Sequence, residues 1–533
     1  MSDLQPTLLS PSPEDASHVQ VVPSSAGDDH IGVGQSLANE QNDVGPSADG
    51  QSNDESSAHE WVIHRYTGKR TFRRWRDARF QGTLPLALSA RIPLEVFEFV
   101  VNEMNPPALT VAALACTAWY PRAMHNLYHT IVIRSRTSYN LLFKQCHVSP
   151  RVKQWLASTC ELTVDEHWIH IDDEYHWVDL MAQEKGEDED GSVEFPQRRN
   201  KSNSDKSFLP ALPSALAALM PRVRILDFSG AGLRFIRTDF FPALSRFESV
   251  KSLTLSFCDL NNVTQLRRIV SAFPQLTDLT MMYLNFALQG AASHAGASLL
   301  RSPSHTGTRL RYLNVSVHDE HMAMFLDWMA HSDLCTSLAD LTLVSNIPRG
   351  YMTITPLNQL LEKAGASLTR FYERFYNVYH GNLFQNTALQ SLDFLLHDIN
   401  HTPKYRDEGP QRAAWTKAAD ELHAIFSTVR SRQLEHITFD VYVNVNDSIL
   451  ESEELGAVLE KLDLRDLHEV MSQPYFDTLK DVNVEIELSK LLSRPNQTKW
   501  HVDSIGQKLQ AIFHSILQPW SARGMVTVTW RRI

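Results

Sequence analysis

Short apolar strands recur along the chain from Val223 onward, each with the same internal spacing. The clearest unit runs Val250-x-x-Leu253-x-Leu255-x-x-Cys258-x-Leu260. Apolar residues two positions apart lie on one face of a β-strand, so this unit predicts a strand with one buried face. Further segments share the apolar-x-x-apolar-x-apolar core of this unit, and they begin at Val223, Leu276, Leu310, Leu338, Leu389, Leu434 and Leu479.

Helical patterns separate these strands. Apolar residues recur every three or four positions in several intervening segments, which is the period of an amphipathic helix. The apolar stripes span Val263–Phe273, Met322–Met329, Leu422–Val429 and Ile505–Ile516. A strand followed by a helix, repeated along the chain, predicts a stacked α/β array with a parallel sheet. The segment Leu368-x-x-Phe371 breaks the pattern, because Glu373 stands at its next core position.

The N-terminal part is organised differently. Residues 1–60 are rich in Ser, Pro, Asp and Gly and contain no aromatic residue, so we expect a disordered acidic tail. Residues 61–83 form a basic segment with a predicted hairpin turn, and residues 84–135 contain three short helical patterns. We assign residues 136–533 to the strand-and-helix array, with an insert at 184–207 that is expected to be disordered.

Charge is distributed unevenly along the chain. The 50 Lys and Arg residues and 62 Asp and Glu residues give a net charge of −12, and residues 1–60 contain no Lys or Arg. Most of the negative charge therefore lies in residues 1–60, and residues 61–533 are close to neutral. This argues against nucleic acid as a general partner, because binding to nucleic acid needs a basic surface. The basic segment 61–83 is either a patch for nuclear import or an acidic partner, or a solvated basic face.

Cysteine usage and hydropathy bear on the compartment. The five cysteines are widely spread and form no C-x-x-C pair, so we expect neither a disulfide framework nor a structural zinc site. We expect no secretory signal and no membrane span, because the start lacks a basic n-region and the chain lacks an apolar run of sufficient length. These features favour a cytoplasmic or nuclear protein.

Catalytic motifs are not recognisable in the sequence. We find no nucleophile elbow, no P-loop and no dinucleotide-binding glycine pattern. The segment His167–His176 could supply imidazole and carboxylate ligands to a divalent metal, or it could be a polar loop. No second ligand group at a diagnostic spacing supports the metal, so we predict no cofactor and no enzyme.

Two stretches resemble known families. The Val250–Leu260 unit fits the leucine-rich repeat pattern L-x-x-L-x-L-x-x-N/C-x-L at every fixed position, although the later units are longer than is standard. Residues 92–133 resemble an F-box, with Ile92–Phe97 in place of its Leu-Pro-x-Glu opening and Leu114–Trp119 in place of its Val-Cys-x-x-Trp element. The chain looks like the many fungal proteins that join an F-box to an irregular leucine-rich-repeat solenoid.

This resemblance implies a substrate adaptor of an SCF (Skp–cullin–F-box) ubiquitin ligase. The F-box would bind the Skp-type linker subunit, and through it a cullin–RING ligase, while the repeats would hold a protein substrate whose identity the sequence does not give. The residues that would contact the linker are Ile92, Pro93, Leu94, Val96, Phe97, Val100, Leu109, Leu114, Cys116 and Trp119.

The substrate surface is predicted from strand geometry. Residues that alternate with the buried leucines point away from the helices, toward the concave side of a curved solenoid. The predicted substrate-binding residues on that side are Thr254, Ser256, Asn314, Thr342, Asp393, Thr438, Asp440 and Glu485. The three carboxylates among them favour a basic partner segment. Two alternatives stay open, namely an F-box scaffold that does not direct degradation and a metal-dependent enzyme that uses His167–His176.

Overall fold

The structure is a computed structural model. It describes residues 94–115, 119–166, 207–287, 308–317, 319–345, 354–375, 380–396, 410–444, 462–489 and 499–532. The chain divides into units 1–85 and 86–533, and the described residues all belong to the second unit. The predicted acidic tail, the basic segment, the His167–His176 segment and nearly all of the 184–207 insert lie outside the described residues.

Three short helices open the described chain: α1 (Leu94–Asn102), α2 (Pro106–Ala115) and α3 (Tyr120–His129). The side chain of Asn105 accepts a hydrogen bond from the backbone N–H of Ala108 at 3.0 Å, which caps the start of α2. Pro106 and Pro121 lie in the first turns of α2 and α3, where a missing N–H does no harm. Both prolines therefore begin helices.

The strands form an open, parallel sheet of 13 strands in the described part of the chain. Twelve of these strands are hydrogen-bonded to one another in the order in which they occur along the chain. The short β5 lies off this series and pairs with β6. Their bounds are β1 (Thr130–Ile133), β2 (Glu161–Asp165), β3 (Ile225–Ser229), β4 (Ser252–Ser256), β5 (Asp259–Leu260), β6 (Asp278–Phe286), β7 (Tyr312–Val317), β8 (Asp340–Ser345), β9 (Arg370–Arg374), β10 (Ser391–Leu396), β11 (His436–Asn444), β12 (Asp481–Ser489) and β13 (Val526–Arg532).

Helices and short 3₁₀ turns connect these strands. The apolar stripes predicted from the sequence fall on helices whose described apolar side chains are mostly buried, for example Leu266 and Ile269 on one helix and Leu509 and Phe513 on another. The bounds of these helices are α4 (Arg136–Val148), α5 (Pro150–Leu156), α6 (Leu212–Leu216), α7 (Phe240–Ala243), α8 (Val263–Ser271), α9 (Asp319–His331), α10 (Ile354–Ala364), α11 (Pro410–Phe426), α12 (Arg465–Met471), α13 (Lys499–Ile516) and α14 (Gln518–Ser521).

The core lies on one face of the sheet. Leu226, Leu253, Leu279 and Leu313 are paired in register from β3 to β7 and are fully buried. Each strand has too little apolar surface to form a core alone, so neighbouring units bury one another's leucines. Cys258 is buried as well, and its thiol donates a hydrogen bond to the carbonyl of Phe228 on the neighbouring strand β3 at 3.3 Å.

The sheet is longer than the sequence repeats indicate. Strands β1, β2 and β13 extend it at its two ends, and the break that we expected at Glu373 is a regular strand, β9. Glu373 is 1% exposed and fills a core position, where its Oε2 accepts from the backbone N–H of Gly381 at 3.3 Å and its Oε1 faces Nδ1 of the buried His380 at 3.7 Å. The α/β class is therefore confirmed, with three helices that lead directly into the first strand. Among the described residues, no helix is long and apolar enough to cross a membrane.

Candidate partner-binding surfaces

The first two helices expose apolar side chains, which we call the helix surface. Val96, Phe99 and Val100 lie three and four positions apart on α1, and Phe99 is 66% exposed. Val111 and Leu114, three positions apart on α2, are exposed as well, with Leu114 at 83%. Large apolar side chains clustered at helical spacing on short helices are typical of a protein-binding site.

The same three helices also bury a small core of their own. Its buried members are Val101, Leu109, Ala112 and Ala123, and it is separate from the core of the sheet. Polar contacts help to hold α3 against α1, since the side chain of Arg122 donates from Nε to Oδ1 of Asn102 at 2.8 Å. The helices therefore keep an ordered arrangement even though much of their apolar surface faces solvent.

The residues predicted to bind the linker divide into three groups. Val96, Val100 and Leu114 lie on the helix surface, whereas Leu109 is 4% exposed and lies in the small core, with Trp119 packed against that core. Leu109 is therefore not a surface residue, because it is packed in the small core with Val101 of α1 and Ala123 of α3. The residues Ile92, Pro93 and Cys116, and the side chains of Leu94 and Phe97, lie outside the described part.

Two members of the helix surface were missed by the sequence analysis. Phe99 lies three positions after Val96, and Val111 lies three positions before Leu114. Their helical spacing to residues already selected was the signal that could have identified them.

Polar and mixed residues occupy the other side of the sheet, which we call the polar sheet face. One in-register row crosses β4 to β12 and contains Thr254, Thr280, Asn314, Thr342, Tyr372, Asp393, Thr438 and Asn483. Five of the eight predicted substrate residues therefore lie in one row. Ser256, Asp440 and Glu485 lie in the next row, and Ser256 and Asp440 are buried.

The acidic end of the polar sheet face carries its own counter-charge. Arg374 on β9 reaches past β10 to form a buried ion pair with Asp440 on β11, and its guanidinium carbon lies 5.8 Å from the ring centroid of Tyr442. The sequence pattern did not place Arg374 beside these acids. The carboxylate of Asp440 is therefore already paired within the protein.

Asp393 lies beside this ion pair. Burial and the charges of Asp440 and Glu485 raise the pKa of Asp393 from 3.8 to about 8, although Arg374 opposes the shift. Asp440 and Glu485 are paired in register, and Asp393 lies in the adjacent row on β10, close enough for both charges to act on it. At neutral pH they present less negative charge than three aspartate or glutamate residues would in water, because one is paired and one is largely protonated.

A second set of charged groups lies inside the fold. Nε2 of His380 lies 2.6 Å from Oε1 of Glu421 on α11, and Nδ1 lies 3.7 Å from Oε1 of Glu373 on β9. All three side chains are buried, so this arrangement joins the sheet to a helix and is not open to a large ligand. In the described ranges, no group of three or more His, Cys, Asp or Glu side chains is arranged to hold a metal ion.

Comparisons with known proteins return no family. No protein-family model matches the chain, and no curated protein is significantly similar to it.

Proposed function

We propose that this protein is a non-catalytic adaptor with two binding surfaces. The helix surface docks on the Skp-type linker subunit of an SCF ubiquitin ligase, and the polar sheet face holds a protein substrate. The carrying observation is the exposure of Val96, Phe99, Val100, Val111 and Leu114 on helices that already have a packed core. Burial of such side chains against a partner stabilises the complex by about 25 cal/mol per Å² of apolar area removed from water.

The remainder of the fold supports a binding role. Thirteen strands in the described part form an open parallel sheet with a long row of Thr, Asn and other polar side chains on one face. Extended surfaces built by stacked repeats are used for binding large partners. This arrangement fits the substrate arm of an adaptor that works in the cytoplasm or the nucleus.

Co-expression with a Skp-type linker tests the proposal. We expect the Phe99→Ala/Leu114→Ala variant to weaken linker binding by about tenfold or more, because truncating a buried anchor typically costs more than 1 kcal/mol of binding free energy. The matched control is Leu141→Ala/Phe235→Ala, which truncates two exposed apolar residues outside the helix surface. Equal recovery of the linker by the wild-type protein and both variants would overturn the proposal.

A second measurement addresses what binding leads to. If the linker binds, a cullin should co-purify with the complex, and the lifetime of a bound partner should lengthen in the Phe99→Ala/Leu114→Ala variant. Linker binding with an unchanged partner lifetime would instead indicate a scaffold that does not direct degradation.

A further inference from the structure

Two exposed aromatic rings stack on each other at equivalent positions of neighbouring repeats. Phe257 follows β4 and Tyr283 lies in β6, with ring centroids 4.7 Å apart and planes inclined by 9°. Although the two rings cover part of each other, Phe257 is 45% exposed and Tyr283 is 38% exposed. We call these two residues the aromatic pair.

Both residues of the aromatic pair have a left-handed backbone. Phe257 has φ 54° and Tyr283 has φ 53°, whereas the equivalent residue of the preceding repeat is Gly230, with φ 64°. A bulky residue is strained in this conformation and glycine is not. Two large rings are thus kept where the fold itself favours glycine, and strain of this kind is concentrated at functional sites.

A polar pair lies beside the aromatic pair. Asp259 and Asn285 are paired in register, and Nδ2 of Asn285 donates to Oδ1 of Asp259 at 3.2 Å. Cys258 and Leu284 separate the two pairs along the chain, and both point into the core. The polar pair therefore follows the aromatic pair two residues later on both neighbouring segments of chain.

The combination defines the chemistry of a ligand. Aromatic faces attract a guanidinium group through their negative π surface, and a nearby carboxylate attracts its charge. Asp259 takes part in no ion pair within 4.0 Å in the described part of the chain, and its hydrogen-bond partner Asn285 is neutral. A cation would thus complete the site.

We propose that the aromatic pair and Asp259 form a docking site for an arginine side chain of a partner protein. The guanidinium plane stacks on the exposed rings, and its N–H groups point toward the carboxylate of Asp259. This inference deepens the proposed function, because it rests on the sheet having a binding role, but it does not depend on linker docking.

Fluorine NMR on the full chain tests the site directly. The protein is labelled with 3-fluorotyrosine, and the Tyr283 resonance is assigned by its loss in Tyr283→Phe. The probes are acetyl-Gly-Arg-Gly-amide and the same peptide with citrulline, a neutral isostere of arginine. We expect a saturable shift of the Tyr283 resonance with the arginine peptide and about tenfold weaker binding, or none, with the citrulline peptide.

Two variants make the result specific. Phe257→Gly removes a ring at a position where the backbone conformation favours glycine. This variant should therefore keep or raise the melting temperature and should bind the arginine peptide about tenfold more weakly. Asp259→Asn should also weaken binding of the arginine peptide, while the two rings stay stacked. Phe235→Ala, an exposed aromatic residue outside the site, is the control that should bind normally.

Several outcomes would overturn the inference. An absent shift, an equal response to both peptides, or normal binding by Phe257→Gly would each do so. Linker co-purification with Phe257→Gly separates this failure from failure of the adaptor proposal, because the helix surface is unchanged in that variant.

Discussion

His380 joins a strand to a helix through two carboxylates, with its Nε2 atom 2.6 Å from Oε1 of Glu421 and its Nδ1 atom 3.7 Å from Oε1 of Glu373. Burial alone would lower the pKa of His380, but the hydrogen bond to Glu421 and the charges of Glu373 and Glu421 raise it to about 10. The imidazole is therefore charged at neutral pH. This pairing allows a glutamate to occupy a core position in β9.

Replacing His380 should strongly destabilise the fold. His380→Ala leaves two buried carboxylates without their cation, a change that costs about 3–5 kcal/mol of unfolding free energy. His436→Ala is the matched control, because His436 also lies 2.7 Å from a carboxylate but its side chain is 45% exposed. We expect a loss of at most about 1 kcal/mol there. Urea unfolding measures both, and similar losses in the two variants would contradict the assignment.

The contribution of His380 should also depend on pH. Its pKa is higher in the folded protein than the ordinary value of 6.5, so its stabilisation is complete below pH 6.5 and is lost as the pH rises toward about 10. The difference in melting temperature between the wild-type protein and His380→Gln should shrink over that interval. A difference that is constant or grows from pH 6.5 to 10 would contradict the raised pKa.

Asp393 should also make stability fall as the pH rises, because burial favours its protonated carboxyl group. Its folded pKa of about 8 exceeds the ordinary 3.8, so the unfolded chain loses this proton first and stability falls as the pH rises between these values. Asp393→Asn removes that dependence, and its stability gain over the wild-type protein should grow from about pH 4 to pH 8 and then level off. Thermal unfolding across this range measures the gain.

An exposed aspartate provides the comparison for Asp393. Asp477 is exposed at the start of the turn before β12, so Asp477→Asn should leave the melting temperature nearly unchanged at every pH. If the two variants behave alike, then Asp393 titrates as an ordinary surface carboxylate and the account of the acidic cluster fails.

Two leucines on α2 should separate stability from binding. Leu109 is buried in the small core, and Leu109→Ala should cost about 2–5 kcal/mol of unfolding free energy. Leu114 is exposed, so Leu114→Ala should change stability by about 0.5 kcal/mol or less while weakening linker binding. Hydrogen exchange of the first three helices, measured beside linker recovery, tests both. A destabilised Leu114→Ala would place that side chain in the core.

Gly506 marks a close contact between α13 and β13. A Cβ atom at this position would lie 2.5 Å from the ring of Trp530, so Gly506→Ala should cost about 1–3 kcal/mol, although alanine is the better helix former. Gly232→Ala is the control, because the nearest atom to its Cβ would lie 3.7 Å away. Calorimetry compares the two, and a Gly506→Ala protein as stable as the control would show that this contact can relax.

The alternation of strands and helices follows from local spacing in the sequence. The spacing around Leu253 and Leu255 predicted β4, and the stripe from Val263 to Phe273 predicted α8. Such patterns are local, because the residues that predict each strand or helix lie within that same element. The in-register row on the polar sheet face followed from the same period of two.

Contacts between side chains that are far apart in the sequence depend on tertiary packing. Glu373 interrupted the sequence pattern, yet it is a core residue because His380 lies between it and Glu421 and pairs with both carboxylates. The partner of Asp440 is Arg374, 66 residues earlier. No local period encodes such pairs, because a buried charge is stable only where packing delivers its partner. The left-handed backbone of Phe257 and Tyr283 is likewise not indicated by the sequence, since both residue types are ordinarily found in extended strands.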